Sequence, residues 1–75
     1  MRLSEAKENI KLKIINLDNI ENKDRYYLID MGLVKDTVVK IIKKSYLKGS
    51  LIIDFRGFQL CINNFLASCI NVDRI

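Results

Sequence analysis

The chain has 75 residues, 13 of them basic and 9 acidic, so its formal net charge is +4. This length allows one small domain, residues 1–75, with a modest core, and the apolar content of 49% excludes a disordered chain. The chain has neither the roughly 18 consecutive apolar residues of a transmembrane helix nor a recognisable signal peptide. Cysteines without a secretion signal indicate a reducing compartment. We therefore expect a cytoplasmic protein without direct membrane insertion.

A helical turn and a strand are predicted before the first loop. The turn spans Leu3–Glu8, and the Ser4 hydroxyl is a candidate N-cap because it can accept a hydrogen bond from a backbone N–H of the first turn. The strand spans Ile10–Leu17, where apolar residues alternate with lysines at the period of a half-buried strand. The alternation shifts phase at Ile14 and Ile15, which predicts a bulge or a sharp bend.

One α-helix is predicted, from about Lys23 to Met31. Leu28 and Met31 lie on the stripe that we expect to face the core. Gly32 follows at the position where the end of a helix requires a left-handed residue, and Leu33 is expected to pack back on Leu28.

The rest of the chain has the pattern of short strands joined by turns. The predicted strands are Thr37–Lys44, Leu51–Arg56, Phe58–Ile62 and Cys69–Val72, with a short helical turn at Asn63–Ala67. Five short strands with turn signals at close spacing predict an all-β fold, a small β-barrel with one short inserted α-helix. Closure of the barrel would remove the exposed edges of a short sheet.

No set of residues has the spacing of a catalytic site. There is no histidine, so the Ser/His and Cys/His combinations of nucleophilic catalysis cannot occur. The aspartates are scattered, and no pair is spaced as a general acid and base. The three glycines are isolated turn residues rather than a phosphate-binding loop. We therefore expect a protein that is not an enzyme and that binds no cofactor.

Two binding functions remain open alternatives. Cys61 and Cys69 fall opposite the inward faces of their strands, so they could approach each other on the outer surface and bind a transition metal. A structural zinc site usually needs four ligands, which makes two small apolar-like side chains the simpler interpretation. A nucleic-acid-binding barrel is suggested by the net charge and by the lysines between Lys40 and Lys48. No stacking aromatic array accompanies those lysines, and we expect no nucleic acid partner.

Candidate partner-binding residues lie on the helix and in the loop between the second and third strands. Tyr26 and Ile29 lie off the core stripe of the helix, about 60° apart on the helix wheel. With Tyr46 and Leu47 of the loop, they could form an exposed apolar patch of the kind that marks protein–protein contacts. The alternative is that Ile29 packs against the barrel and Tyr26 lies flat on it.

Five segments, in this order and spacing, carry a resemblance over nearly the full length: Leu3-Ser4-Glu5, Arg25…Leu28…Met31-Gly32-Leu33, Thr37-Val38-Val39, Gly57-Phe58-Gln59-Leu60-Cys61-Ile62 and Ala67…Ile70-Asn71-Val72. Through them the chain resembles the FeoA family, the small cytoplasmic accessory proteins of ferrous iron transport. It departs from the family pattern at Asn9, Lys35-Asp36 and Asn63, where the family often has Gly, Pro-Gly and Arg.

The resemblance implies an SH3-like barrel with an inserted helix. It also implies a partner, the FeoB-like membrane transporter with a cytoplasmic GTP-binding domain. FeoA-like proteins are expected to dock on that transporter and to modulate transport or its nucleotide cycle. The expected function is therefore an accessory, regulatory role in ferrous iron uptake through protein–protein interaction, with a homo-oligomer as a further possibility.

Overall fold

A computed structural model describes residues 1–17 and 20–75 of the chain. The strands of this part form one antiparallel sheet with the order β4-β3-β2-β1-β5. Along the chain, the elements are a 3₁₀ turn (Leu3–Glu5), β1 (Lys11–Asn16), α1 (Asn22–Asp30), β2 (Val38–Ser45), β3 (Ser50–Phe55), β4 (Phe58–Asn63), α2 (Asn64–Ser68) and β5 (Asn71–Arg74). The predicted fold, five strands with one short helix inserted between the first two, is confirmed.

The core lies against one face of the curled sheet because apolar residues alternate along the strands. Each strand turns every second side chain inward, and residues on one face therefore share one environment. The buried strand residues are Leu12, Ile14, Val39, Ile41, Leu51, Ile53, Phe55, Ile62 and Val72. Residues outside the strands close the open side of this core: Leu3, Ala6, Ile20, Leu28, Leu33, Leu66, Ala67 and Ile70.

The strand pairing is interrupted at two places, one of which the sequence pattern predicts. The register between β1 and β5 shifts between Ile14 and Asn16, which confirms the irregularity expected from the broken alternation. A second shift lies between Ile41 and Lys43 in the β2–β3 pairing. Because a bulge bends its strand and increases the local twist, the two shifts help to curl a five-stranded sheet around a small core.

The N-terminal 3₁₀ turn anchors the chain beneath the sheet. Leu3 is fully buried, and its backbone N–H donates to the carbonyl oxygen of Ile70 at 2.9 Å. The turn begins after Arg2, whose N–H donates to Glu5 Oε1 at 3.1 Å. The prediction that Ser4 caps this turn is therefore wrong, because a carboxylate three residues into the segment satisfies the free N–H instead.

The last strand begins later than the sequence pattern predicts. α2 runs to Ser68 and has Cys69 as its C-cap, so Cys69 is not part of a strand. β5 starts at Asn71. Ile70 and Val72 are nevertheless fully buried, as predicted.

α1 ends as predicted, although its core contact is smaller than expected. Gly32 has φ of +98°, and its N–H donates to the carbonyl oxygen of Ile29 at 2.9 Å, while the Leu33 N–H donates to that of Leu28 at 2.9 Å. These paired bonds form a Schellman motif, the helix end that depends on a left-handed glycine. Leu28 is fully buried, whereas Met31 is 42% exposed, so the prediction that Met31 packs in the core is wrong.

The sheet does not close into a continuous hydrogen-bonded barrel. Within residues 1–17 and 20–75, the terminal strands β4 and β5 do not pair with each other. The expectation that closure would remove both edges is therefore wrong. The residues before the 3₁₀ turn cover part of the β5 edge: Val72 N–H donates to Met1 O at 2.8 Å, and Met1 N donates to Val72 O at 3.1 Å.

Candidate protein-interaction surfaces

α1 presents most of its apolar side chains to solvent. Leu28 is the buried residue of this nine-residue helix. Tyr26 is 63% exposed and Ile29 41% exposed, and Tyr27 and Met31 are similarly open. A helix that packed lengthwise on the core would hide a continuous apolar stripe. These four exposed residues, Tyr26, Tyr27, Ile29 and Met31, are called the α1 surface below.

The C-terminal end of α1 lies beside the turn between β3 and β4. A Cβ atom at Gly32 would be 3.7 Å from Arg56 Nη1 and 3.8 Å from Phe55 Cε2. The Phe55 ring in turn lies 6.4 Å from that of Phe58, centroid to centroid. Because Phe58 is largely exposed, an apolar ring lies close to the end of α1 where the α1 surface finishes.

A second exposed apolar group surrounds the turn between β2 and β3. Tyr46 is 84% exposed and Leu47 fully so. Phe65, at the start of α2, is also exposed. The Asn64 N–H donates to the carbonyl oxygen of Gly49 at 2.8 Å, which holds the start of α2 against this turn. Tyr46, Leu47 and Phe65 are called the turn surface below.

A polar pocket of about 330 Å³ lies next to the turn surface. Its lining is formed by Ser4, Lys44, Ser45, Tyr46, Ser50, Asn64 and Ser68. The Lys44 ammonium donates to the carbonyl oxygen of Ser4 at 3.1 Å, and the Lys44 N–H donates to Glu8 Oε2 at 2.7 Å. Lys44 is thus hydrogen-bonded to the N-terminal segment, and the Glu8 carboxylate offsets part of its positive charge. The pocket is therefore not expected to bind anions strongly.

The four predicted partner-binding residues fall into two separate places. Tyr46 and Leu47 adjoin the first residue of β3, whereas the end of α1 adjoins Phe55, the last residue of that strand. A strand of six residues extends for roughly 17–20 Å. Tyr26 and Ile29 therefore belong to one exposed surface, and Tyr46 and Leu47 to another. That either pair binds a partner stays a prediction.

The two cysteines occupy unlike environments. Cys61 is exposed on β4, where it pairs with Ile52 of β3. Cys69 is half-buried at the C-cap of α2 and packs against the core. Within the described ranges, no three His, Cys, Asp or Glu side chains come together as possible metal ligands. A metal site using Cys61 and Cys69 would therefore need further donors from elsewhere.

The lysines between Lys40 and Lys48 do not form one uniform stripe. Lys40 lies between Lys11 of β1 and Asp54 of β3 in the sheet register, so a carboxylate neighbours it. Lys44 is turned toward Ser4. Lys40 and Lys44 thus face different neighbours, which weakens the case for a groove that tracks a nucleic acid backbone.

Four exposed apolar residues in or beside these surfaces are not predicted as candidates by the sequence pattern: Tyr27, Met31, Phe58 and Phe65. Tyr27 and Met31 share a helical stripe with Leu28, and this pattern predicts Met31 as a core residue. Phe58 shares the inward face of β4 with Leu60 and Ile62, and only its position beside the β3–β4 turn explains its exposure. The sequence signal that could have identified these residues is the short length of α1, β4 and α2. The ends of such short elements extend beyond a small core.

No helix in the described part of the chain has the length and apolar character needed to cross a membrane.

Fold and surfaces together define a small SH3-like domain that exposes apolar side chains at two places. The family model described as the FeoA domain matches residues 1–74. The chain therefore belongs to the FeoA family. This family is linked to ferrous iron transport, in which its members are small accessory domains.

Solved structures agree with this assignment. An FeoA-like protein from Clostridium acetobutylicum is 28% identical, with 100% of this chain and 86% of that chain covered and a TM-score of 0.86. An iron uptake regulatory protein (FeoA) is 24% identical, with 100% and 97% covered and a TM-score of 0.87. The latter likeness shows the fold alone. A comparison with curated protein sequences found no significant match.

The same fold also occurs within larger regulators. A manganese-dependent transcriptional repressor is 12% identical to this chain, with a TM-score of 0.93. The alignment covers 100% of this chain but 36% of the repressor. At this identity the likeness shows a shared SH3-like fold and no shared activity.

Proposed function

We propose that this protein is a cytoplasmic accessory protein of ferrous iron uptake that docks on the GTP-binding domain of a FeoB-like transporter. Docking would modulate transport or the nucleotide cycle through protein–protein contact, without catalysis by this chain. Membership of the FeoA family supports the link to iron uptake. The single structural observation that supports docking is the exposed apolar α1 surface.

The composition of the α1 surface suits a protein interface. Tyrosine, isoleucine and methionine offer large apolar areas, and the tyrosine hydroxyls tolerate contact with water before docking. Full burial of one such side chain stabilises a complex by about 1.5–3 kcal/mol. A few residues of this kind usually provide most of the binding energy of an interface.

The α1 surface can be covered without unfolding the domain. The fully buried side chains of Leu28 and Leu33 hold the helix to the core. The exposed residues therefore contribute little to the free energy of unfolding, which leaves them available for a partner. The turn surface provides a second contact region, at the other end of β3.

Binding of the purified chain to the cytoplasmic GTP-binding domain of FeoB tests the proposal. Titration calorimetry should be run with that domain loaded with GDP and with a non-hydrolysable GTP analogue. We expect binding in at least one nucleotide state, and we expect the double variant Tyr26→Ser/Ile29→Ser to weaken it by about tenfold or more, which corresponds to about 1.4 kcal/mol.

The turn surface supplies a matched control. The double variant Tyr46→Ser/Leu47→Ser removes the same kinds of side chain from the other end of β3, and we expect it to weaken binding less. If this variant abolishes binding while the α1 variant does not, docking occurs through the turn surface instead. Absence of binding by the unmodified chain in both nucleotide states, at high protein concentration, would refute docking altogether.

A further inference from the structure

We propose that the free edge of β4 is a self-association surface on which a second copy of this chain pairs its own β4 in antiparallel orientation, across a two-fold axis. The terminal strands of the sheet differ in how well they are covered. Val72 of β5 exchanges backbone hydrogen bonds with Met1, and Asn71 forms a bridge with Arg2. Within residues 1–17 and 20–75, no strand lies beyond β4.

The register of the β3–β4 hairpin shows which backbone groups face outward. Phe55 and Phe58 flank a two-residue turn whose central residues both have positive φ, +51° at Arg56 and +81° at Gly57. Such a pair exchanges both backbone hydrogen bonds, and bonded pairs then alternate along the ladder. The backbone N–H and C=O groups of Gln59 and Cys61 therefore point away from β3.

Those outward groups are open to solvent. Gln59 and Cys61 are exposed, and within residues 1–17 and 20–75 their backbone groups have no hydrogen-bonded neighbour besides β3. A row of unpaired N–H and C=O groups on a straight edge is a template for another strand. Natural edge strands usually block such pairing with lysine, proline or a bulge. β4 has none of these, since its sequence is uncharged and its pairing with β3 is continuous.

The absence of charge favours a second copy of the same strand. In a symmetric antiparallel pair centred on Leu60, each Gln59 lies opposite Cys61 of the second copy, and each Leu60 lies opposite its own counterpart. A charged residue in β4 would approach its own symmetry mate, and like charges placed together on a sheet are destabilising. The strand Phe58–Asn63 is neutral within a chain of net charge +4. The other terminal strand, β5, contains Asp73 and Arg74.

Pairing would also extend the core. Phe58 is 66% exposed although it lies on the same face of β4 as the buried Ile62. In the register centred on Leu60, Phe58 lies opposite Ile62 of the second copy, so each copy covers the exposed ring of the other. A contact of six residues a side is small, because stable complexes bury roughly 20–30 residues a side. We therefore expect a weak dimer with a dissociation constant of about 0.1–1 mM.

Sedimentation velocity on the full chain, from about 10 µM to about 1 mM, spans the expected dissociation constant and therefore tests for the dimer. The sedimentation coefficient should rise with concentration from the monomer value toward the dimer value. Gln59→Lys should raise the dissociation constant at least about tenfold, because it places two ammonium groups near the axis. Glu21→Gln is the control, since it changes the net charge by the same amount at an exposed residue far along the chain from β4.

A second variant separates loss of pairing from loss of fold. Cys61→Pro removes an N–H that is not bonded to β3, and proline is tolerated at such positions of edge strands. It should therefore remain folded by circular dichroism and stay monomeric. A short bismaleimide should also link Cys61 to Cys61 of the second copy, because diagonal neighbours in this register lie about 7–8 Å apart. Mass spectrometry of the linked peptide should show this product at high concentration and not in Gln59→Lys.

Three results would overturn the proposal. They are a monomer at every concentration, a dimer that Gln59→Lys and Cys61→Pro leave intact, and a dimer that is lost in Tyr26→Ser/Ile29→Ser. The last result would assign self-association to the α1 surface. Because the FeoB-binding experiment uses different variants, failure of docking and failure of β4 pairing are distinguishable.

Discussion

The α-helices α1 and α2 differ in how many residues they bury. α2 has five residues, yet it buries both Leu66 and Ala67. α1 has nine residues and buries Leu28 alone. The start of α2 is capped by the Asn63 side chain, which accepts a hydrogen bond from the Leu66 N–H at 2.8 Å, whereas α1 has no side-chain hydrogen bond at its N-cap, Glu21. The shorter helix is thus part of the core, and the longer one is displayed on it.

The N-cap of α2 also explains one departure from the family pattern. Asn63 stands where the FeoA family often has arginine. In this chain its side-chain oxygen caps α2, a task for which asparagine is among the best residues. The substitution is therefore compatible with the fold. A partner contact made by an arginine at this position in relatives would be missing here.

The largest effect is expected from removing the residue that holds α1 to the core. Leu28→Ala should lower the free energy of unfolding by about 2–5 kcal/mol, because it leaves a cavity at a fully buried site. Urea denaturation followed by circular dichroism measures this loss. Met31→Ala is the control in the same helix, and its effect should stay within about 0.5 kcal/mol because the side chain is exposed. Equal effects of the two changes would contradict the burial described for α1.

The end of α1 should respond less strongly. Gly32→Ala forces a Cβ into a conformation with φ of +98°, at a cost of about 1–2 kcal/mol. The nearest atoms, Arg56 Nη1 and Phe55 Cε2, are 3.7 and 3.8 Å from that Cβ, so crowding adds little. Thermal unfolding of the variant measures the change.

Gly32→Asn supplies the comparison for this prediction, because asparagine tolerates the left-handed region better than alanine. It should recover part of the loss. If the alanine variant proves as stable as the original chain, the left-handed end of α1 is not a stability determinant.

The caps of the two helices should give the smallest effects and the sharpest contrast. Asn63→Ala removes the side-chain bond to Leu66 N and should cost about 1 kcal/mol, while Asn63→Asp should retain most of it. Glu21→Ala removes no capping bond from α1 and should be close to neutral. Chemical denaturation of the three variants in parallel measures their free energies of unfolding. Equal losses in Asn63→Ala and Glu21→Ala would contradict this prediction.

The strands could be predicted because the alternation of apolar and polar residues is visible within a few neighbouring residues. Alternation along β2 places Val39 and Ile41 on one face of the strand, and both are buried. The glycine stop of α1 is equally local, since a left-handed residue followed by a leucine defines it. The FeoA resemblance added the order of these elements and the SH3-like fold.

The errors have a common physical origin in contacts between distant parts of the chain. Met31 lies on the same helical stripe as Leu28, but the core ends beneath Leu28, and no pattern within α1 shows where it ends. Whether β4 and β5 pair depends on how far the sheet curls. The separation of Tyr26 from Tyr46 depends on the length of β3 between them, which is a property of the assembled sheet.

The paired bonds of Gly32 and Leu33 have a consequence for motion. They fasten α1 at its C-terminal end, where Leu28 is also buried, while the opposite end lacks a side-chain cap. Local opening should therefore start at the first turn and proceed toward Gly32, because that route breaks the fewest contacts. In amide hydrogen exchange, the Tyr26 N–H should lose protection before the Leu33 N–H. A partner could thus meet a helix whose first turn adjusts to its surface while the last turn keeps its place on the core.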